Sequence, residues 1–156
     1  MQIFSGMQRD LFDKKALTLF FLYLFIVLYP TAQTLYPLLP PMLGLAYVKW
    51  REAVRAKSLP HIAVWMIYAL VFETMWGLPL YGVWSVMIFT FVLFDNKITH
   101  TLHMDPMIKV LSAIIFDLLY FSFLYGYGVL MGEKVIDTAG VLFYYFFMDI
   151  LGVMLF

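Results

Sequence analysis

Residues 59–94 read LPHIAVWMIYALVFETMWGLPLYGVWSVMIFTFVLF, and Glu73 is the one Asp, Glu, Lys or Arg among them. A helix needs about 20 predominantly apolar residues to cross the hydrocarbon core of a bilayer. Each half of this stretch approaches that length, and Gly77 with Pro79 between the halves reads as a tight turn. The stretch therefore predicts two membrane spans back to back, 59–76 and 78–94. Working outward, the same pattern repeats. An apolar run follows the basic residues Arg9, Lys14 and Lys15 and stops at Pro30, giving a span at 11–29. It reads as a retained helix, because Pro30 sits poorly before Ala32 as a signal-peptidase site. A second run, 35–50, holds Pro37, Pro40 and Pro41 near its start. Proline lacks a backbone donor and clashes with the preceding turn, so this span should begin late, kinked or partly unwound. Runs at 107–127 and 138–156 complete the set. The expected fold is an all-α membrane protein, a six-helix transmembrane bundle forming one integral domain over residues 1–156.

Composition agrees. Of 156 residues, 64% are hydrophobic, 20% aromatic and only 13% charged, against about half apolar and a quarter charged in soluble domains. Such a chain cannot cover its own surface with polar side chains. Formal charge is zero, which removes the cationic field that nucleic-acid binding requires. With no cysteine there are no disulfides, thiolate metal sites or Cys nucleophile. Basic residues set the expected orientation. Arg9, Lys14, Lys15, Lys49, Arg51, Arg55, Lys57, Lys97 and Lys109 fall on one side of a six-span bundle and Lys134 on the other. The positive-inside rule then puts both termini in the cytoplasm.

Three carboxylates fall inside spans: Glu73, Asp117 and Asp149. A charge at mid-membrane costs roughly 2.5–3.5 kcal/mol, so each should face protein, water or an interface. Glu73 lies about one turn from its helix end, within reach of the external headgroups. Asp149, near the C-terminal end of the sequence, is either buried or partly wet. Asp117 lies too deep to snorkel and is expected to be protonated or fully hydrogen-bonded, closing a contact with Ser112, Ser122 or a tyrosine. No basic residue is placed deep in a span to pair with any of them. His100, His103 and Asp105 sit in one connection, but two imidazoles and a carboxylate without further ligands read better as a solvated loop than as a metal site. His61, beside Pro60, reads as interfacial. The serines are scattered and stand in no nucleophile-elbow setting, and phosphate loops and His-x-x-x-His pairs are missing. The pattern implies no catalysis, no metal and no cofactor.

The segment Glu73-Thr74-Met75-Trp76-Gly77-Leu78-Pro79-Leu80-Tyr81-Gly82-Val83 resembles the hairpin of the MreD family, small rod-shape-determining membrane proteins. By residue, Glu73 matches the family's acid, Gly77 its first glycine, Pro79 its proline, Leu80 its apolar position and Gly82 its closing glycine. The chain departs in having Glu for the commoner Asp, Leu78 for a small residue, and Tyr81 as an extra residue before the glycine. The run Ser112–Phe121 looks like the family's fifth span, with Asp117 at its buried acid. The resemblance implies a non-catalytic scaffold of the cell-elongation machinery in the bacterial cytoplasmic (inner) membrane. It implies binding to the bitopic protein MreC, and through it to MreB and a glycosyltransferase–transpeptidase pair for peptidoglycan. The family is also similar in fold to substrate-binding subunits of energy-coupling-factor transporters, so a vitamin-transport subunit is the alternative. Its usual Ala-x-x-x-Ala docking pattern is missing, since the first span carries only Ala16. A small proton-coupled transporter is the third reading, in which the buried acids act.

Overall fold

The computed structural model of the chain describes residues 17, 20, 21, 23–26, 28–36, 38–95, 105–132 and 139–155. Six helices and no strands occur among them: α1 (Tyr23–Leu35), α2 (Leu43–Arg55), α3 (Leu59–Trp76), α4 (Gly82–Thr90), α5 (Asp105–Met131) and α6 (Ala139–Leu155). A π-helical turn, Phe91–Asp95, continues α4. The protein is all-α.

One boundary departs from expectation at a proline, and another, the late start of the second helix, follows it. Helix α1 does not stop at Pro30; it runs on to Leu35 with Pro30 buried inside it. The reason lies one turn apart on its face. Tyr29 and Gln33 both donate side-chain hydrogen bonds to the carbonyl of Pro40, each at 2.7 Å, and helical i, i+4 spacing puts the two side chains on one face. Helix α2 begins at Leu43, after a non-helical strap that contains Pro40 and Pro41. Its N-cap residue, Met42, is in the left-handed region (φ 49°) and makes no side-chain cap bond.

Short α2 is the centre of the bundle, packing on α3, α5 and α6. Most of its residues are buried, from Leu43, Gly44 and Ala46 through Tyr47, Val48 and Trp50 to Arg51 and Ala53. It lies antiparallel to α5, which acts as a ruler along it. Glu52 meets Lys109, Arg51 meets Ser112, Tyr47 stacks on Phe116, and Gly44 abuts Asp117. The rings of Tyr47 and Phe116 are 4.8 Å apart and nearly parallel, and Phe116 continues to Tyr120 at 6.1 Å. Such ring pairs add about 0.5–1.5 kcal/mol each beyond their area burial.

Many large apolar side chains among the described residues face outward. Phe20, Phe21, Leu28, Leu118, Val129, Leu130, Phe143, Phe147 and Met154 are all exposed. Two helices, Leu59–Trp76 and Pro106–Met131, are long and apolar enough to cross a membrane, and only 28% and 39% of their apolar windows are buried within the chain. A core helix of a water-soluble protein would be covered far more completely.

Candidate functional site

The α3–α4 hairpin is built around Glu73. Helix α3 ends at Gly77, which has φ 62° and donates its N–H to the Glu73 carbonyl, as does Leu78 at 2.9 Å. The left-handed region suits glycine because it has no Cβ to collide with the following carbonyl. Pro79 then directs the chain around, and its carbonyl accepts from Gly82 N–H at 3.2 Å. The Glu73 side chain folds back beneath this turn. Its Oε2 accepts from Tyr81 N–H at 2.8 Å and its Oε1 from Val83 N–H at 2.5 Å. These donors belong to the start of α4, whose free N–H groups and positive dipole end favour a carboxylate. Glu73 is fully buried, so it serves the turn and does not reach outward to headgroups.

Gly82 is needed for a different reason from Gly77. A Cβ on Gly82 would stand 2.7 Å from Phe123 Cε1 and 3.2 Å from Glu73 Oε1, whereas nothing lies within 4 Å of one on Gly77. One glycine makes room; the other makes a dihedral. Tyr81, the extra residue of the motif, takes φ 66° itself, and its ring packs edge-on against Trp84 at 5.3 Å. Trp84 Nε1 in turn donates to the Met66 carbonyl at 3.0 Å, tying α4 to α3. Leu80 is exposed.

A second polar centre surrounds the strap and the start of α2. Besides the bonds from Tyr29 and Gln33 to Pro40, the Tyr68 hydroxyl of α3 donates to the Pro41 carbonyl. Asp149, on α6, caps α2 from across the bundle: its Oδ2 accepts from Gly44 N–H at 2.9 Å, with Leu43 and Leu45 N–H also directed at the carboxylate. Asp149 is buried, with 3% exposure. Asp117 approaches the same glycine from α5. A Cβ on Gly44 would lie 3.0 and 3.1 Å from its two oxygens and 3.2 Å from Ala113 Cβ.

Neither serine expected beside Asp117 bonds to it. Ser112 Oγ accepts from Arg51 at 3.0 Å and donates to the Ile108 carbonyl, and Ser122 Oγ donates to the Leu118 carbonyl. Both hydroxyls serve their own helix, four residues back, instead of reaching the acid. Asp117 Oδ2 has no hydrogen-bond partner among the described residues. Arg51, grouped in the sequence with the basic residues on one side of the bundle, lies within α2. It is 4% exposed and reaches into the bundle toward Ser112.

The charged end of α2 is wetter. Glu52 bridges Lys109 at 2.7 Å and Lys49 at 3.4 Å. Partial burial pushes its carboxyl up, but the two ammonium groups together outweigh this and hold it below the usual glutamate range. His61 shares a 2.7 Å hydrogen bond with Ser58 at the exposed start of α3. Asp105 is the first residue of α5; His100 and His103 lie outside the described residues.

Gly77, Pro79, Gly82 and Glu73 thus come together in one hairpin, while Asp117 belongs to a separate centre with Asp149 and Gly44. Sequence reasoning named both acids of that centre but not their meeting point. Gln33 went unnoticed, although a lone amide in an apolar run was a signal available to it. No family model matches the chain, and neither does any curated protein or solved structure.

Proposed function

We propose that the chain is a non-catalytic scaffold of a bacterial cell-elongation machinery. In this reading it is a multi-pass protein of the cytoplasmic membrane with both termini inside. It binds a bitopic MreC-type partner, and through it serves MreB filaments and the glycosyltransferase–transpeptidase pair. The observation that carries the reading is the hairpin. The residues on which the MreD resemblance is written, Glu73, Gly77, Pro79 and Gly82, are those that the Glu73 carboxylate and the two glycines tie into one turn. Further support comes from the outward faces of α1 and α6. Leu24, Phe25 and Leu28 on one, and Phe143, Phe147, Leu151 and Met154 on the other, are exposed apolar side chains. Within a bilayer, such faces associate with partner helices by packing.

The Asp117–Asp149 centre favours a second reading, a small proton-coupled transporter, because ionisable pairs buried among membrane helices are a usual means of carrying protons. Affinity purification of the tagged chain from cross-linked native membranes tests the first reading. The expected result is recovery of an MreC-type bitopic protein, with recovery reduced in Gly82→Val. Recovery of a pair of ATPases instead would turn the assignment to a vitamin-transport subunit.

A further inference from the structure

A groove of about 430 Å³ opens between the first turns of α5 and the last turn of α6. Met107 and Val110 line it from one helix, and Val153, Met154 and Leu155 from the other. Lys109 is the charged side chain of the lining. Val153 is buried, whereas Met107, Met154 and Leu155 are each more than half exposed, so the groove has a floor and open rims. The stretch Pro106–Met131 is one of the two long and apolar enough to cross a membrane. Lys109 stands three residues into it, about 4.5 Å from its start at 1.5 Å per residue. In a bilayer this is the depth at which acyl chains meet their headgroups.

The same end of the bundle is basic. Lys109 Nζ lies 2.7 Å from the Glu52 carboxylate and Lys49 Nζ 3.4 Å from it, so two ammonium groups share one acid. An ammonium group carries three donor hydrogens, and Glu52 takes one from Lys109. Around this pair α2 and its following turn add Arg51, Arg55 and Lys57, while Asp95 and Asp105 close the neighbouring elements. Among the described residues this end therefore holds five bases against three acids, an excess of two positive charges. The positive-inside rule assigns it to the cytoplasm, where the membrane leaflet is rich in anionic lipid.

Size and chemistry together select the occupant. The volume of about 430 Å³ corresponds to about one turn of a helix 10–12 Å across, too little for a partner helix to enter. An apolar trough with a cation at headgroup depth matches an amphiphile that has a flexible apolar chain and a negative head.

We propose that the groove between α5 and α6 binds an anionic phospholipid, one acyl chain lying along Val110, Val153 and Leu155 and the phosphate accepting from Lys109. Glu52 competes with the phosphate for the same ammonium group, so the ion pair sets the strength of the site. The bound lipid fastens the start of α5 to the end of α6. The site rests on the membrane placement of the reading above and not on the partner protein named there.

The test uses the purified full-length chain reconstituted into phosphatidylcholine vesicles that carry a trace of spin-labelled phosphatidylglycerol or spin-labelled phosphatidylcholine. Electron paramagnetic resonance reads the fraction of each label that the protein immobilises. The expected result is preferential immobilisation of phosphatidylglycerol. Lys109→Gln removes the attraction of one charge at a membrane surface and should lower the preference about fivefold, whereas Lys109→Arg keeps it. Glu52→Gln releases Lys109 from its competitor and should raise the preference. Met107→Trp fills the groove from its exposed rim and should lower immobilisation of both lipids. Lys57→Gln, an exposed charge outside the lining, should leave the preference unchanged. Equal immobilisation of the two headgroups overturns the proposal. So do equal effects of Lys57→Gln and Lys109→Gln, the sign of a diffuse positive surface only. Phosphatidylglycerol immobilisation that falls as the ratio of protein to lipid rises, the mark of a second copy in the groove, overturns it as well. A chain that does not float with the vesicles overturns the membrane reading and the proposal with it, and flotation shows this before any lipids are compared.

Discussion

The hairpin and the strap solve the same problem to different degrees of completion. In each, a helix starts inside an apolar bundle with free N–H groups, and an acid from another helix accepts from them. Glu73 sits eight to ten residues from its donors and satisfies them with both oxygens. Asp149 sits 105 residues from Gly44 and binds it with one oxygen, while its other oxygen has no hydrogen-bond partner among the described residues. A closed cap is a fastening. A cap that leaves one oxygen unpartnered is incomplete. The difference separates a contact made within one hairpin from a contact made only where α6 packs on α2.

The sharpest way to break this comparison is to remove each acid in turn. Glu73→Leu strands two backbone donors and loses two charge-assisted bonds, each worth about 1.5–3 kcal/mol, so a loss of about 3 kcal/mol or more in unfolding measurements is expected. Asp149→Leu removes the bond to Gly44 N–H and the weaker attraction of Leu43 and Leu45 N–H, with one oxygen already unpartnered, so its loss should be the smaller. Equal losses would erase the distinction. The glycines come next. Gly82→Val drives a side chain into Phe123 and should cost about 1–3 kcal/mol by overpacking. Gly77→Ala meets open space and costs only the left-handed strain, about 1 kcal/mol. Leu80→Val, exposed, should be mild. The same ranking should appear in the yield of folded protein.

How far these centres were legible in the sequence depends on how local they are. The hairpin acid, its glycines and its proline lie within ten residues, and the residue types alone specify a turn. The late start of α2 was readable from Pro40 and Pro41, because a missing donor is a property of the residue. Pro30 misled, because what carries α1 through it is a pair of hydrogen bonds to a carbonyl that sequence cannot locate. Asp149 and Gly44 are brought together only by the packing of α6 on α2. Ser112 and Ser122 were offered to Asp117 as neighbours on its own helix, but short hydroxyl side chains there bond back to the preceding turn. The apolar run 35–50 stops short of Arg51, although the helix continues to Arg55.

The smallest expected effect lies at the charged end of α2. Glu52→Gln should cost less than about 1 kcal/mol, as partly exposed ion pairs do. The carboxyl is held below its unfolded value, so its contribution is fully present above the usual glutamate range. It fades as pH falls through the lowered value. A stability profile of the wild type against Glu52→Gln should therefore converge in acid and separate toward neutrality.

The central claim is that the buried acids hold helices together in a scaffold and do not drive transport. Asp117→Asn tests it most directly, scored separately for folded yield and for restoring rod shape to cells that lack the native chain. Asparagine keeps a hydrogen-bonding side chain and leaves Asp149 as the one charge beside α2, so the variant should fold and restore shape. Asp117→Leu, whose branched side chain presses on Gly44, should lose about 1–2 kcal/mol of helix packing. A well-folded Asp117→Asn chain that fails to restore shape would contradict the scaffold account and leave the proton-coupled transporter in its place.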